Sequence, residues 1–147
     1  MIEVFASDFV KKWVSKIQNS PFEVKDCAAT FLGAINFQNT LYLLQLGDGM
    51  ISCQFEDEKK SVVMSDSKEE SFSNMTRALK ENVFPEAWNI KTISSGDLKS
   101  VFLCSDGISD DLQQGADMAF VSELTNQYMT KSSRKIKKDM RNWISNW

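Results

Sequence analysis

The chain has 147 residues, of which 42% are hydrophobic and 25% are charged. A chain of this kind can bury a sizeable core, so we expect a single globular domain over residues 1–147. Seventeen Lys and Arg residues against twenty Asp and Glu residues give a net charge of −3, which argues against a nucleic-acid partner. No apolar run approaches the roughly 18 residues that span a bilayer, so no membrane partner is expected either.

Histidine is absent from the chain. This excludes Ser-His-Asp triads, Cys–His nucleophile pairs and His-ligated zinc within these residues. The chemistry that remains is that of carboxylates, with or without a hard metal ion. The three cysteines, Cys27, Cys53 and Cys104, lie apart in apolar stretches. Together with an N-terminus that lacks signal-peptide features, they predict reduced, buried thiols and a cytoplasmic protein.

Residues 1–20 have the pattern of an amphipathic helix. Its apolar face repeats every four residues and consists of Phe5, Phe9, Trp13 and Ile17, with Val10 and Val14 beside them. The pair Ser20-Pro21 predicts its end. A basic helix lying on a membrane surface is the alternative, but a helix that faces the core is favoured.

A β-rich segment follows the helix. The apolar runs 28–37 and 40–46 flank the polar pair Gln38-Asn39, a pattern that predicts a hairpin. Two further runs, 50–55 and 61–65, have strand character. Four strands at about ten-residue spacing indicate an antiparallel meander rather than βαβ units.

The second half of the chain changes from strands to helices. Residues 67–85 are polar and predict a loop with a short helix near 74–79. Strands are predicted at 90–93 and 100–104, and the second is apolar on both faces, as a central strand would be. Residues 113–147 predict two helices. Their apolar stripes are Met118, Val121, Leu124 and Tyr128, and then Ile136, Met140, Trp143 and Trp147.

Two loops share one design, an Asp placed after an apolar strand and followed by Gly. They are Gly47-Asp48-Gly49 and Ser105-Asp106-Gly107. Glycine permits a tight turn that leaves the carboxylate at the end of the sheet. If the two strands are neighbours, the carboxylates converge, and such a pair could hold Mg²⁺ or Mn²⁺. The alternative is that both are ordinary Asp-Gly turns.

Four short motifs follow one another along the chain. Residues 26–35 precede the strand L-Y-L-L-Q-L, which ends in Gly47-Asp48-Gly49. An Asn-x-Thr element lies within 72–76, and F-L-C leads into Ser105-Asp106-Gly107. Over about residues 26–112, their order and spacing resemble the protein phosphatase 2C family of metal-dependent Ser/Thr phosphatases, in its bacterial Gly-Asp-Gly subtype.

The resemblance implies an α+β fold, an antiparallel β-sandwich with helices outside both sheets. It also implies two Mg²⁺ or Mn²⁺ ions at one end of the sandwich, with a water between them that attacks phosphate. Asp106 matches the family's later metal-ligating Asp. Asp48 matches an Asp that, in several members, joins it at a weaker third metal position.

The chain also departs from the family pattern. The family opens with an Arg that grips phosphate and an Asp-Gly-x-Gly loop, whereas the first arginine here is Arg77 and no such loop precedes residue 26. The family's closing strand, with its last metal-ligating Asp, would begin where this chain reaches Trp147. We therefore expect a sandwich incomplete at both ends, no identifiable catalytic residue, and weak or absent metal binding.

Two interpretations of function remain open. In the first, the chain is part of a phosphoprotein (Ser/Thr) phosphatase domain, which hydrolyses phosphate monoesters with metal-activated water when complete and is inactive as this chain alone. In the second, it is a non-catalytic pseudophosphatase, a protein-interaction module. Unpaired strand edges predict a homo-oligomer or a separate segment that completes the sheet. A basic cluster in the last helix is interpreted as a solvated face: Lys131, Arg134, Lys135, Lys137, Lys138 and Arg141.

Overall fold

The computed structural model describes residues 2–57, 60–65, 77–112 and 115–146. Within these ranges the chain forms helices at both ends and six strands between them. In chain order they are α1 (Ile2–Gln18), β1 (Phe31–Phe37), β2 (Thr40–Leu46), β3 (Met50–Phe55), β4 (Ser61–Ser65), β5 (Asn89–Ser94), β6 (Leu98–Cys104), α2 (Asp106–Ser109), α3 (Asp117–Tyr128) and α4 (Ser133–Ile144). Short 3₁₀ turns at Val24–Asp26 and Pro85–Ala87 precede β1 and β5.

Strands β1 and β2 form the predicted hairpin. They pair antiparallel from Phe37 opposite Thr40 to Phe31 opposite Leu46. Gln38 and Asn39 both have positive φ, 48° and 59°. A two-residue turn with φ positive at both central positions matches the twist of the flanking strands, and polar residues such as Asn tolerate it.

The strands are divided between two antiparallel sheets, so the predicted single meander is wrong. One sheet has the order β1-β2-β5 and the other β4-β3-β6. The chain therefore changes sheet three times, between β2 and β3, between β4 and β5, and between β5 and β6. The first and the last of these changes occur at a break that contains Gly and Asp, Gly47-Asp48-Gly49 and Gly96-Asp97 respectively.

Strand β6 is at an edge of its sheet among the described strands, and its predicted central position is wrong. The fully buried central strand is β3. The run V-F-L-C is apolar on both faces for a different reason. One face of β6 lies toward the first sheet, and its opposite face is covered by α3. There the rings of Phe102 and Phe120 pack edge to face, with their centroids 5.7 Å apart.

The core has three layers, which explains the apolar residues on both faces of the central strands. The layer between the sheets contains Leu41, Leu43, Ile51, Cys53, Phe55 and Met64. Helix α1 covers the outer face of the first sheet, where the buried residues are Ala6, Val10, Leu44, Leu46, Leu79 and Trp88. Helix α3 covers the outer face of the second sheet around Met50, Cys104 and Val121. The predicted α+β sandwich with helices outside both sheets is confirmed.

Most predicted element positions are close to the observed ones. Helix α1 lies against the core, as favoured above, with Val10 buried and Phe9 and Trp13 packed beside it. Of the predicted apolar face, Phe5 is 42% exposed. The strand predicted from residue 28 begins at Phe31. Of the helix predicted near 74–79, only the last part lies in the described chain, and there Leu79 is extended and bridges to Ala29. The Asn-x-Thr element at 72–76 and Trp147 lie outside the described residues. No helix within the described ranges is long and apolar enough to cross a membrane.

Candidate functional site

The pairing of β3 with β6 brings the two Asp-Gly loops to the same end of the sandwich. Met50, the first residue of β3, lies opposite Cys104, the last residue of β6. Asp48 precedes that pair by two residues, and Asp106 follows it by two. The strands that the two Asp residues follow, β2 and β6, belong to different sheets, so they are not the neighbours that the sequence analysis considered. The loops that carry the two carboxylates lie side by side because β3, which follows Asp48, pairs with β6.

The loop 47–49 is packed so closely that two of its residues must be glycine. Gly47 has φ 89° and Gly49 has φ 121°, values that side chains disfavour. A Cβ on Gly49 would lie 2.7 Å from the carbonyl oxygen of Cys104 and 3.5 Å from the Cα of Ser105. Glycine thus lets the backbone that carries Asp48 touch the backbone that leads to Asp106.

The other side of this loop is also enclosed. A Cβ on Gly47 would overlap the carbonyl oxygen of Arg77 and would lie 2.6 Å from Cγ2 of Thr30. The segment at Arg77 is held there by the hydrogen bond from the Leu79 N–H to the Ala29 carbonyl, 2.7 Å long. Asp48 therefore projects from a loop that is packed on both sides.

The two carboxylates differ in their surroundings. Asp48 is half-buried, whereas Asp106 is exposed and begins the short helix α2. The Oδ1 of Asp106 accepts a hydrogen bond from the N–H of Gly107, at 2.8 Å. Asp110 and Asp111 directly follow α2.

The oxygen donors of the described residues are too few to hold a pair of hard cations. Within the described ranges, no group of three or more Asp, Glu or Cys residues is close enough together to hold a metal ion. Two carboxylates on adjoining loops leave most of an octahedral shell to water, an arrangement that Mg²⁺ and Mn²⁺ accept. The ligand roles of Asp48 and Asp106 remain predictions.

A buried glutamine belongs to this site, and the sequence analysis did not single it out. Gln45, in β2, is 2% exposed. Its Nε2 donates to the carbonyl oxygens of Gly47 at 3.2 Å and of Gly49 at 3.0 Å. The signal in the sequence was a single polar residue in the apolar run L-Y-L-L-Q-L, directly before Gly-Asp-Gly.

The two buried cysteines, Cys53 and Cys104, do not offer a reactive thiolate here. Burial raises the pKa of Cys53 to about 11, against a smaller opposite effect from Lys91. Burial also raises the pKa of Cys104, and Asp117 adds to this. All three thiols are free, but Cys27 is only half-buried, so the prediction of three buried thiols is wrong at that position. Cys27 lies in the turn before β1 rather than in a strand.

Comparison with known families identifies the domain. The family model described as Protein phosphatase 2C matches residues 2–147. The chain belongs to the protein phosphatase 2C family. No match was found among curated proteins or among solved structures. The family match is wider than the 26–112 resemblance, so it includes α1, α3 and α4 together with the sandwich, and the domain is phosphatase-like. Members of the family generally use Mg²⁺ or Mn²⁺.

Proposed function

We propose that this chain supplies part of a metal-dependent phosphoprotein phosphatase site, with Asp48 and Asp106 as the ligands of one Mg²⁺ or Mn²⁺ ion. The observation that carries the proposal is the contact of Gly49 with Cys104 and Ser105, which brings both Asp loops to one end of the sandwich. A divalent cation held there supplies a water nucleophile at neutral pH and positive charge for the phosphoryl oxygens. The substrate class is a phosphoserine or phosphothreonine monoester.

We infer further that this polypeptide by itself turns over phosphate monoesters negligibly. Hydrolysis that uses two metal ions needs enough ligands to hold both ions. Within the described residues, the Asp48 and Asp106 loops offer two carboxylates, and no group of three ligating residues is present. An assay with a small aryl phosphate and with phosphopeptides in Mn²⁺ tests this inference. Turnover that is lost in Asp106→Asn would show it to be wrong.

Metal binding can be tested separately from turnover. We expect wild-type protein to bind Mn²⁺ with a Kd on the order of a millimolar, because two carboxylates give few charged ligands. NMR line broadening by Mn²⁺ should be strongest at the loops of Asp48 and Asp106. Asp48→Asn and Asp106→Asn should each weaken binding by about tenfold. Asp97→Asn is the matched control, because Asp97 precedes β6 at the end away from Asp106.

The second candidate is a non-catalytic pseudophosphatase, a domain that keeps the scaffold for interaction with other proteins. The shortage of ligating groups in the described chain favours it. The same titration separates the two candidates. Binding that depends on both Asp48 and Asp106 supports the phosphatase site. Absence of Mn²⁺ binding, or binding equally affected by Asp97→Asn, supports the interaction module.

A further inference from the structure

Gln45 occupies an unusual place for an amide side chain. Alternation along β2 puts it on the same face as Leu41 and Leu43, which fill the layer between the two sheets. At 2% exposure it is removed from water, and a buried polar group is costly unless it makes hydrogen bonds. Its stability in the core therefore depends on the hydrogen bonds that it makes.

The hydrogen bonds of Gln45 go to the loop of Asp48 and to both sides of that residue. One Nε2 donates to the carbonyl oxygen that precedes Asp48 and to the one that follows it, at 3.2 and 3.0 Å. These two contacts also fix which way the amide faces, because the flipped amide would place Oε1 against two carbonyl oxygens. A single side chain in the core thus holds the loop from beneath.

The other end of the Gln45 amide makes no hydrogen bond within the described chain, so all the hydrogen bonds of this side chain go to the loop of Asp48. Within the described chain, Oε1 of Gln45 is buried and has no hydrogen-bond partner, a condition that costs free energy. Gln54 in β3 is a buried glutamine with a different arrangement, because its Oε1 accepts from Oγ of Ser100 at 3.4 Å. Gln45 therefore has an oxygen without a hydrogen bond, while its Nε2 donates two hydrogen bonds to the loop of Asp48.

We propose that Gln45 is a positioning residue, which fixes the backbone on both sides of Asp48 so that its carboxylate faces the loop of Asp106. This inference rests on the proposed metal-binding role of Asp48 and Asp106. Gln45 does not touch the cation in this proposal. Groups that orient metal ligands commonly contribute about 10- to 100-fold in metal affinity.

The test compares Gln45→Met, which removes the donors at similar length, with Gln54→Met as the matched control. We expect Gln45→Met to weaken Mn²⁺ binding by about tenfold or more, while Gln54→Met changes it by less than about twofold at a similar loss of Tm. Hydrogen exchange at the amides of residues 48–50 should quicken by about tenfold in Gln45→Met and should stay unchanged in Gln54→Met. If Gln45→Met does not fold, Gln45→Asn, which withdraws the amide by one methylene, is compared in the same way.

The two readouts separate this proposal from the function on which it rests. Equal weakening of Mn²⁺ binding by Gln45→Met and Gln54→Met, or unchanged exchange at residues 48–50, overturns the positioning role. If wild-type protein binds no Mn²⁺ at all, the proposed metal site fails. The exchange measurement still decides in that case, because faster exchange confined to residues 48–50 supports loop positioning and unchanged exchange refutes it.

Discussion

Replacing Gly49 with alanine tests the contact on which the candidate site depends. At φ 121°, a Cβ adds backbone strain of about 1–3 kcal/mol. The new methyl group would also lie 2.7 Å from the Cys104 carbonyl oxygen and 2.9 Å from Cδ1 of Leu32, and overpacking of this kind costs about 1–3 kcal/mol. Alanine also lowers the conformational entropy of the unfolded chain, which stabilises the folded state by about 0.4–1 kcal/mol. We therefore expect Gly49→Ala to destabilise the domain by about 1–5.5 kcal/mol.

Alanine substitutions at two other glycines distinguish the effect of backbone strain from the effect of the steric clash. Gly115 has φ 82° with no neighbouring atom within 4 Å of its would-be Cβ in the described chain, so Gly115→Ala should show the strain alone. At Gly107 the nearest such atom is Oγ of Ser105 at 3.8 Å and φ is not positive, so Gly107→Ala should be near neutral. Urea unfolding of the three variants measures the differences. If Gly49→Ala costs no more than Gly115→Ala, the loop of Asp48 does not pack on Cys104 and Ser105.

Two further predictions concern the core. Leu44 is fully buried where α1 covers the first sheet, so Leu44→Ala should lower the free energy of unfolding in urea by about 2–5 kcal/mol. Val4 is 63% exposed, so Val4→Ala should lower it by less than about 0.5 kcal/mol. Similar values for both variants would show that α1 does not pack on Leu44. Burial raises the pKa of Cys53 from 9.0 to about 11. The free energy of unfolding therefore includes the full contribution of this thiol below about pH 9 and loses it as the pH rises to about 11. The loss is at most about 3 kcal/mol. Cys53→Ala should remove that part of the alkaline decline, and an identical pH profile in both proteins would contradict the assignment.

Local patterns were sufficient to predict most of the individual elements but not their division between two sheets. The hairpin could be predicted because Gln38 and Asn39 are turn residues between two apolar runs. Alternation of apolar and polar residues shows which strand faces are buried, but it is absent in β3, where all six residues are buried. The Gly-Asp-Gly segment was recognised as a break, but nothing in three residues shows whether the chain turns back within one sheet or crosses to another.

The candidate site was predictable in part for a similar reason. Asp48 and Asp106 could be named because each follows an apolar strand and precedes a glycine. Their loops adjoin through the pairing of β3 with β6, which the sequence analysis did not predict. Gln45 was not predicted, since its partners are backbone carbonyl oxygens of Gly47 and Gly49, which every residue possesses. Its role follows only from the burial and direction of its amide.

The candidate site joins parts of both sheets, and this determines how it can be disturbed. Asp106 follows β6 in the second sheet, whereas Gln45 belongs to β2 in the first, and the loop of Asp48 crosses between the sheets. The position of Asp48 relative to Asp106 is set by the pairing of Met50 with Cys104 and by the contact at Gly49. The direction in which the loop of Asp48 faces is set from the core side by the hydrogen bonds of Gln45. Because these constraints come from different sheets, a change in the packing between the sheets would alter the separation of the two carboxylates without altering either residue.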